Sequence, residues 1–185
     1  MMATVYLLTG GPGTGKTTVI REAIARSRAR AGGFYTEEIR SGGTRQGFRI
    51  ITLDGQQAIL ANIDIPSHHR VGKYGVDTHN LDAVGVAALH RAIDESDLIV
   101  VDEIGKMELF SPGFKEAVLK AIDSGKRVLG TIMLNPHPFA DQIKRHPRVK
   151  VFQISRANRD QALREVITWL NPTADETKPQ ANRQH

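Results

Sequence analysis

The run Gly10-Gly11-Pro12-Gly13-Thr14-Gly15-Lys16-Thr17 constrains this chain more than any other segment, because it fits G-x-x-x-x-G-K-[ST]. It stands where an apolar run, Val5-Tyr6-Leu7-Leu8, gives way to a segment with helical periodicity. A buried strand, a glycine-rich turn and a helix in that order form a phosphate-binding loop. Glycines let backbone N–H groups curl inward as an anion nest, and the following helix points its N-terminus at the bound phosphates. Lys16 is expected at the β- and γ-phosphate oxygens, and the Thr17 hydroxyl at a magnesium ion. At average residue frequencies the pattern arises by accident in roughly one chain of this length in a hundred. The flanking strand and helix make accident rarer still.

A loop of this kind needs a carboxylate on a second buried strand to hold the magnesium shell. Leu98-Ile99-Val100-Val101-Asp102 supplies it, with Asp102 at the strand's C-terminal edge, where open α/β sheets bind their ligands. Glu103 follows directly and is placed to orient and activate an attacking water. An Asp-Glu pair alone reads as a solvated turn; beside a phosphate loop in the same chain it reads as the acidic half of the site. The nucleotide-binding set is therefore Gly10 to Thr17, Thr18, Asp102, Glu103, Ile104 and Gly105. Lys16 and Glu103 are the catalytic candidates, and Thr17 and Asp102 the magnesium ligands. Asp102 to Gly105 also spells D-x-x-G, but the chain has no N-K-x-D guanine-reading motif. Asn158 is a weaker candidate for touching a base, with a local capping role as the alternative.

The remaining pattern alternates strands and helices and implies a three-layer α/β fold with a mainly parallel sheet. A helix is expected from Lys16 to about Arg30, stopped by Gly32-Gly33. Short strands at 34–40, 47–53 and 57–63, punctuated by Ser41-Gly42-Gly43-Thr44 and Asp54-Gly55, predict a small antiparallel hairpin insertion over residues 32–64. Residues 66–80 are expected to be irregular. A helix follows over 81–95, a strand over 98–101 and a helix over 112–124 with Ser111 as its N-cap. Beyond it lie a strand over 128–134, a helix over 139–145, a strand over 149–154 and a helix over 160–170. One domain over 1–170 with a polar, disordered tail over 171–185 is expected.

Charge and composition limit the function classes. The 185 residues include no cysteine, which excludes disulfides and thiolate metal sites. No apolar run is long enough for a membrane helix, and the N-terminal segment lacks a basic leader, so a cytoplasmic protein is expected. The net charge of +5 suits a polyanionic small ligand. Nucleic acid is a less favoured partner, since the arginines at 21, 26, 28 and 30 do not form one helical stripe. A monomer is the simpler expectation.

Several blocks together resemble the thermophilic nucleoside-triphosphatase family, whose vertebrate member is called cancer-related nucleoside-triphosphatase. They are GGPGTGKTT, Gly33-Phe34-Tyr35-Thr36-Glu37-Glu38, Arg70-Val71-Gly72-Lys73-Tyr74-Gly75-Val76-Asp77, Asp102 to Leu109 (DEIGKMEL), Asn135 to Asp141 and Asn158-Arg159-Asp160. The resemblance spans roughly residues 4–170. It implies a fold of the RecA and AAA+ branch, in which the strand at 128–134 separates the P-loop strand from the acidic strand. It also implies slow hydrolysis of ATP, GTP and other nucleoside triphosphates to diphosphate and phosphate, with broad base tolerance.

A further positive charge at the γ-phosphate would accelerate transfer. Arg70 and Lys73 are the first candidates, in a glycine-containing segment that could close over the site; Lys106 and Arg156 come next. Asn135 is a candidate sensor of the γ-phosphate or the water. His68, His69 and His79 read as loop histidines rather than metal ligands. Phe34, Tyr35, Phe48 and Tyr74 read mostly as packing residues. The alternative functions are a kinase that passes the phosphoryl group to a small molecule or nucleotide, and a nucleotide-gated switch or RNA-binding module.

Overall fold

The computed structural model describes residues 3–172. Of the expected tail, residues 173–185 lie outside that range. The strands, in chain order, are β1 (Val5–Thr9), β2 (Ala31–Ser41), β3 (Thr44–Thr52), β4 (Gln57–Asn62), β5 (Arg70–Val71), β6 (Tyr74–Val76), β7 (Leu98–Ile104), β8 (Arg127–Ile132) and β9 (Val149–Gln153). They form one sheet in the order β5-β6-β4-β3-β2-β7-β8-β1-β9. The pairs β2–β7, β7–β8, β8–β1 and β1–β9 are parallel, whereas β2–β3, β3–β4, β4–β6 and β5–β6 are antiparallel. The strand β8 thus separates β1 from β7, as the family resemblance implies.

The helices are α1 (Lys16–Ala25), α2 (Thr78–Asn80), α3 (Ala87–Glu95), α4 (Pro112–Asp123), α5 (Pro138–Lys144) and α6 (Arg159–Leu170). A π-helical segment, Leu81–Val86, joins α2 to α3, and a 3₁₀ turn covers Glu108–Phe110. Alternation along the central strands buries both faces of the sheet. Val5, Leu7, Ile99 and Val101 point into the core shared with Leu89, Phe114 and Val118, while Tyr6, Leu8, Leu98 and Val100 point into the one shared with Ile20 and Val166. Ser111 caps α4 as expected: its Oγ accepts from the Phe114 N–H at 3.0 Å.

Five expectations are corrected. Helix α1 ends at Ala25, not near Arg30, so Arg28 and Arg30 are not helical. Gly32 and Gly33 do not stop it; they lie inside β2, where a Cβ would collide with Ser96 Oγ and with the Val100 carbonyl respectively. These glycines answer to close packing between β2 and its neighbours, a need that looks the same in sequence as a helix stop. The acidic strand runs on to Ile104, which places Asp102 and Glu103 within it, at a register slip between Val101 and Ile104 against β8. The strand at 128–134 ends sooner, at Ile132. Residues 66–80 are not irregular throughout. They hold the β5–β6 hairpin, turned at Gly72-Lys73, and the start of the helix at 78, whose N-cap Asp77 accepts from the Asn80 N–H at 2.8 Å.

The antiparallel strands are continuous with the parallel ones. Strand β2 pairs with β7 through Ala31–Phe34 and with β3 through Phe34–Ser41, so one strand serves both halves of the sheet.

Candidate active site

The phosphate loop leaves β1 at Gly10 and enters α1 at Lys16. Gly13 and Gly15 hold φ values of 73° and 89°, left-handed conformations that bend the loop around a concave row of backbone N–H groups. Lys16 Nζ lies back over the loop and donates to the Gly10 and Gly11 carbonyls at 2.9 Å each. The Thr14 hydroxyl donates to the Gly11 carbonyl at 2.9 Å. The cradle is held shut by its own side chains.

The acidic strand meets it through one hydrogen bond. Thr17 Oγ1 donates to Asp102 Oδ2 at 2.7 Å, and Thr131 Oγ1 on β8 donates to Asp102 Oδ1 at 2.5 Å. Burial raises the Asp102 pKa; the two hydroxyl donors and the Lys16 charge oppose that without cancelling it. Glu103 is also raised, first by burial and then by the charge of Asp102, with Lys16 pulling the other way.

Glu108 is a second buried carboxyl, 5% exposed, beside Asp102 and the partly exposed Glu103, and the motif reading did not single it out. It closes with Glu103 over Gly105, where a Cβ would sit 2.9 Å from Glu103 Cγ and 3.0 Å from Glu108 Oε2. Its only sequence signal is its place in the DEIGKMEL block. Burial, then the charge of Glu103, raises its pKa well above the usual carboxylate range, opposed in part by the backbone N–H groups of Glu108 and Gly105. The folded protein therefore binds a proton here more tightly than the unfolded chain does. The stability this gives is full below the unfolded carboxylate pKa and is lost as pH rises through the folded one. Glu108→Gln is expected to raise the melting temperature at neutral pH in metal-free buffer, with the gain fading below about pH 4. Thermal melts across that range check it; a variant no more stable than the parent at neutral pH contradicts it.

These groups line one end of a cleft of about 570 Å³. The structure brings Gly10, Gly11, Pro12, Gly13, Lys16, Thr17, Asp102 and Glu103 together there, with Lys106 and Asn135 on the walls. It does not bring Arg70 and Lys73. Arg70 is spent on its own hairpin, donating to the Ile65 and Lys73 carbonyls, and the Lys73 ammonium lies over the Tyr74 ring at 5.6 Å. Asn158 braces the turn after β9: Oδ1 accepts from the Ser155 N–H at 2.7 Å, and Nδ2 donates to the Gln153 carbonyl at 3.0 Å. Two arginines flank the loop from the β9 side. A Cβ on Gly13 would lie 3.8 Å from an Arg156 guanidinium nitrogen, and one on Gly15 2.8 Å from Arg159 Cδ. Nothing in the local pattern marks Arg159 except its place in Asn158-Arg159-Asp160.

Comparison with known proteins agrees with this geometry. Residues 5–167 match a protein family described as NTPase. The chain is 51% identical over 164 residues to nucleoside-triphosphatase THEP1 of Thermotoga maritima, covering 89% of this chain and 94% of that protein. The crystal structure of THEP1 from Aquifex aeolicus superposes with a TM-score of 0.83 at 36% identity, over 90% of this chain and 99% of that one. The solution structure of a human cancer-related nucleoside triphosphatase gives 0.77 at 35% identity, over 95% and 98%.

Proposed function

Since the chain belongs to this NTPase family, we propose that it hydrolyses nucleoside triphosphates to diphosphate and phosphate with magnesium and little regard for the base. The observation that carries the reading is the Thr17–Asp102 hydrogen bond, which sets a P-loop hydroxyl and a buried carboxylate side by side at the loop's mouth. A magnesium ion needs such oxygens beside the substrate phosphates. Thr17 and Asp102 are of the right type and already adjacent, so they would hold it. The ion would supply charge neutralisation for the transferring phosphoryl group.

Phosphoryl transfer is chiefly positioning and electrostatic stabilisation. The N–H groups from Gly13 to Thr18 hold the phosphates, and Lys16 exchanges its two carbonyl partners for phosphate oxygens. Glu103, on the cleft wall next to Asp102, orients the water and accepts its proton. Burial and the Asp102 charge raise its pKa, which makes it a stronger base than a free carboxylate. Of the cations that line the cleft, Lys106 takes over from Arg70 and Lys73 as the candidate to meet charge on the transferring group. Broad base tolerance is supported by Asn158, whose amide is engaged in its own turn, and by the missing guanine motif.

The test is phosphate release from ATP, GTP, CTP and UTP with magnesium and with a chelator. Rates within about tenfold of one another, and lost with the chelator, are expected. Preference for one base by more than about a hundredfold would overturn the tolerance. Release that ignores the chelator would overturn the metal, and absence of release from all four would sink the hydrolase reading.

A further inference from the structure

The cleft continues past Glu103. Its far end lies on the antiparallel half of the sheet, where Phe48, Leu60, Val71 and Met107 give it an apolar lining and Arg45 and Glu38 a polar rim. The rim is ordered: Arg45 donates from Nη1 to Glu38 Oε1 at 2.8 Å and from Nε to the Tyr74 hydroxyl at 3.1 Å. Its guanidinium lies 5.4 Å from the Phe48 ring centroid, and Phe48 meets Tyr74 edge-on at 5.4 Å.

The strand order sets this region relative to a bound triphosphate. Arg156 and Arg159 flank the loop beyond β9, at one end of the parallel strands. Glu103 stands on β7, two strands to the other side of β1, and β2, β3 and β4 follow in the same direction. With the nucleoside toward the arginines and the γ-phosphate toward Glu103, the far end lies behind the γ-phosphate. In-line displacement brings the nucleophile from that side. Hydrolysis needs room there for one water, whereas the cleft extends from Glu103 as far as Phe48, Leu60 and Val71. An apolar lining beside a guanidinium and a ring face is no device for holding a water; it fits a flat organic ring.

We propose that the far end of the cleft is a subsite for a second substrate, a small aromatic or heteroaromatic alcohol, to which the γ-phosphoryl group is transferred. This rests on the P-loop and Glu103 roles given above. The ring lies against Phe48 and the Arg45 guanidinium, and the alcohol oxygen points to the γ-phosphorus. The new bond joins that oxygen to phosphorus, and the bond from phosphorus to the bridging oxygen breaks. The bond's electron pair leaves on the nucleoside diphosphate, and the hydroxyl proton passes to Glu103. The products are a phosphate monoester and the diphosphate. When no alcohol is bound, water takes its place.

The test incubates the full chain with magnesium and γ-labelled ATP, with millimolar benzyl alcohol or 3-pyridylmethanol as probe. Labelled phosphate ester of at least one probe is expected, and the ratio of ester to inorganic phosphate should fall about tenfold in Phe48→Ala, as for loss of a pocket contact. Should Phe48→Ala fail to fold, Phe48→Leu removes the ring face and keeps apolar bulk. Normal phosphate release with no ester from either probe overturns the subsite and leaves the hydrolase standing. An ester ratio unchanged by the Phe48 variants means acceptance of bulk alcohol and also overturns it. Neither phosphate nor ester would instead overturn the hydrolase reading.

Discussion

Glu103→Gln is expected to lower nucleoside-triphosphate turnover by about 10²- to 10⁴-fold while leaving nucleotide binding intact. The amide has the size of the carboxyl and can still orient a water, but it cannot take the proton. Glu103 lines the cleft beside the buried Asp102, and neither hydroxyl that braces Asp102 depends on it. The contrast is Lys16→Ala. The ammonium held at the Gly10 and Gly11 carbonyls is the loop's own positive charge, and its removal should weaken binding as well as turnover. Titration with a fluorescent nucleotide, run beside phosphate release, separates the two. A Glu103→Gln protein that turns over within about tenfold of the parent would take the base role away from this residue.

Gly33→Ala is expected to cost more than about 4 kcal/mol of stability and to leave little folded protein. The position has φ 109°, is buried opposite Val100 of β7, and a Cβ there would overlap the Val100 carbonyl while lying 2.9 and 3.0 Å from the Val100 C and N. All three are backbone atoms of the central sheet and cannot step aside. Gly42 makes a fair control: its φ is 55°, nothing lies within 4 Å, and alanine there meets only the left-handed strain of about 1–2 kcal/mol. Chemical denaturation of both variants decides it. Equal losses would mean that backbone strain, and not the Val100 contact, governs Gly33.

The same glycine shows where the sequence could and could not be followed. The loop from Gly10 to Thr17, the run ending in Asp102-Glu103 and the strand between them are legible because each is local: a spacing, an apolar run, a period. Gly32-Gly33 is also local in appearance, but its cause is Val100 and Ser96, more than sixty residues away. Glu108 shares the difficulty. In sequence it is one more charged residue in a turn, and only the closing of Gly105 over Glu103 shows that it is buried. Arg70 and Lys73 fail the other way. Their glycines suggested a closing flap, whereas the β5–β6 pairing uses them for a hairpin that carries Val71, not a cation, to the cleft. The rim made by Arg45, Glu38 and Tyr74 joins three different strands.

Strand β2 passes unbroken from its parallel partner to its antiparallel one. The far end of the cleft, lined by Thr36 to Glu38 of β2, therefore belongs to the same continuous sheet as β7, which carries Asp102 and Glu103. A single molecule that joins a triphosphate mimic to an aromatic tail would find both ends at a set spacing. The tail then binds at the high effective concentration that a short tether confers, and a linker of matched length gains far more than the sum of the separate fragments. Shortening or lengthening that linker by a few atoms should lose the gain abruptly, so a linker series would act as a ruler for the cleft.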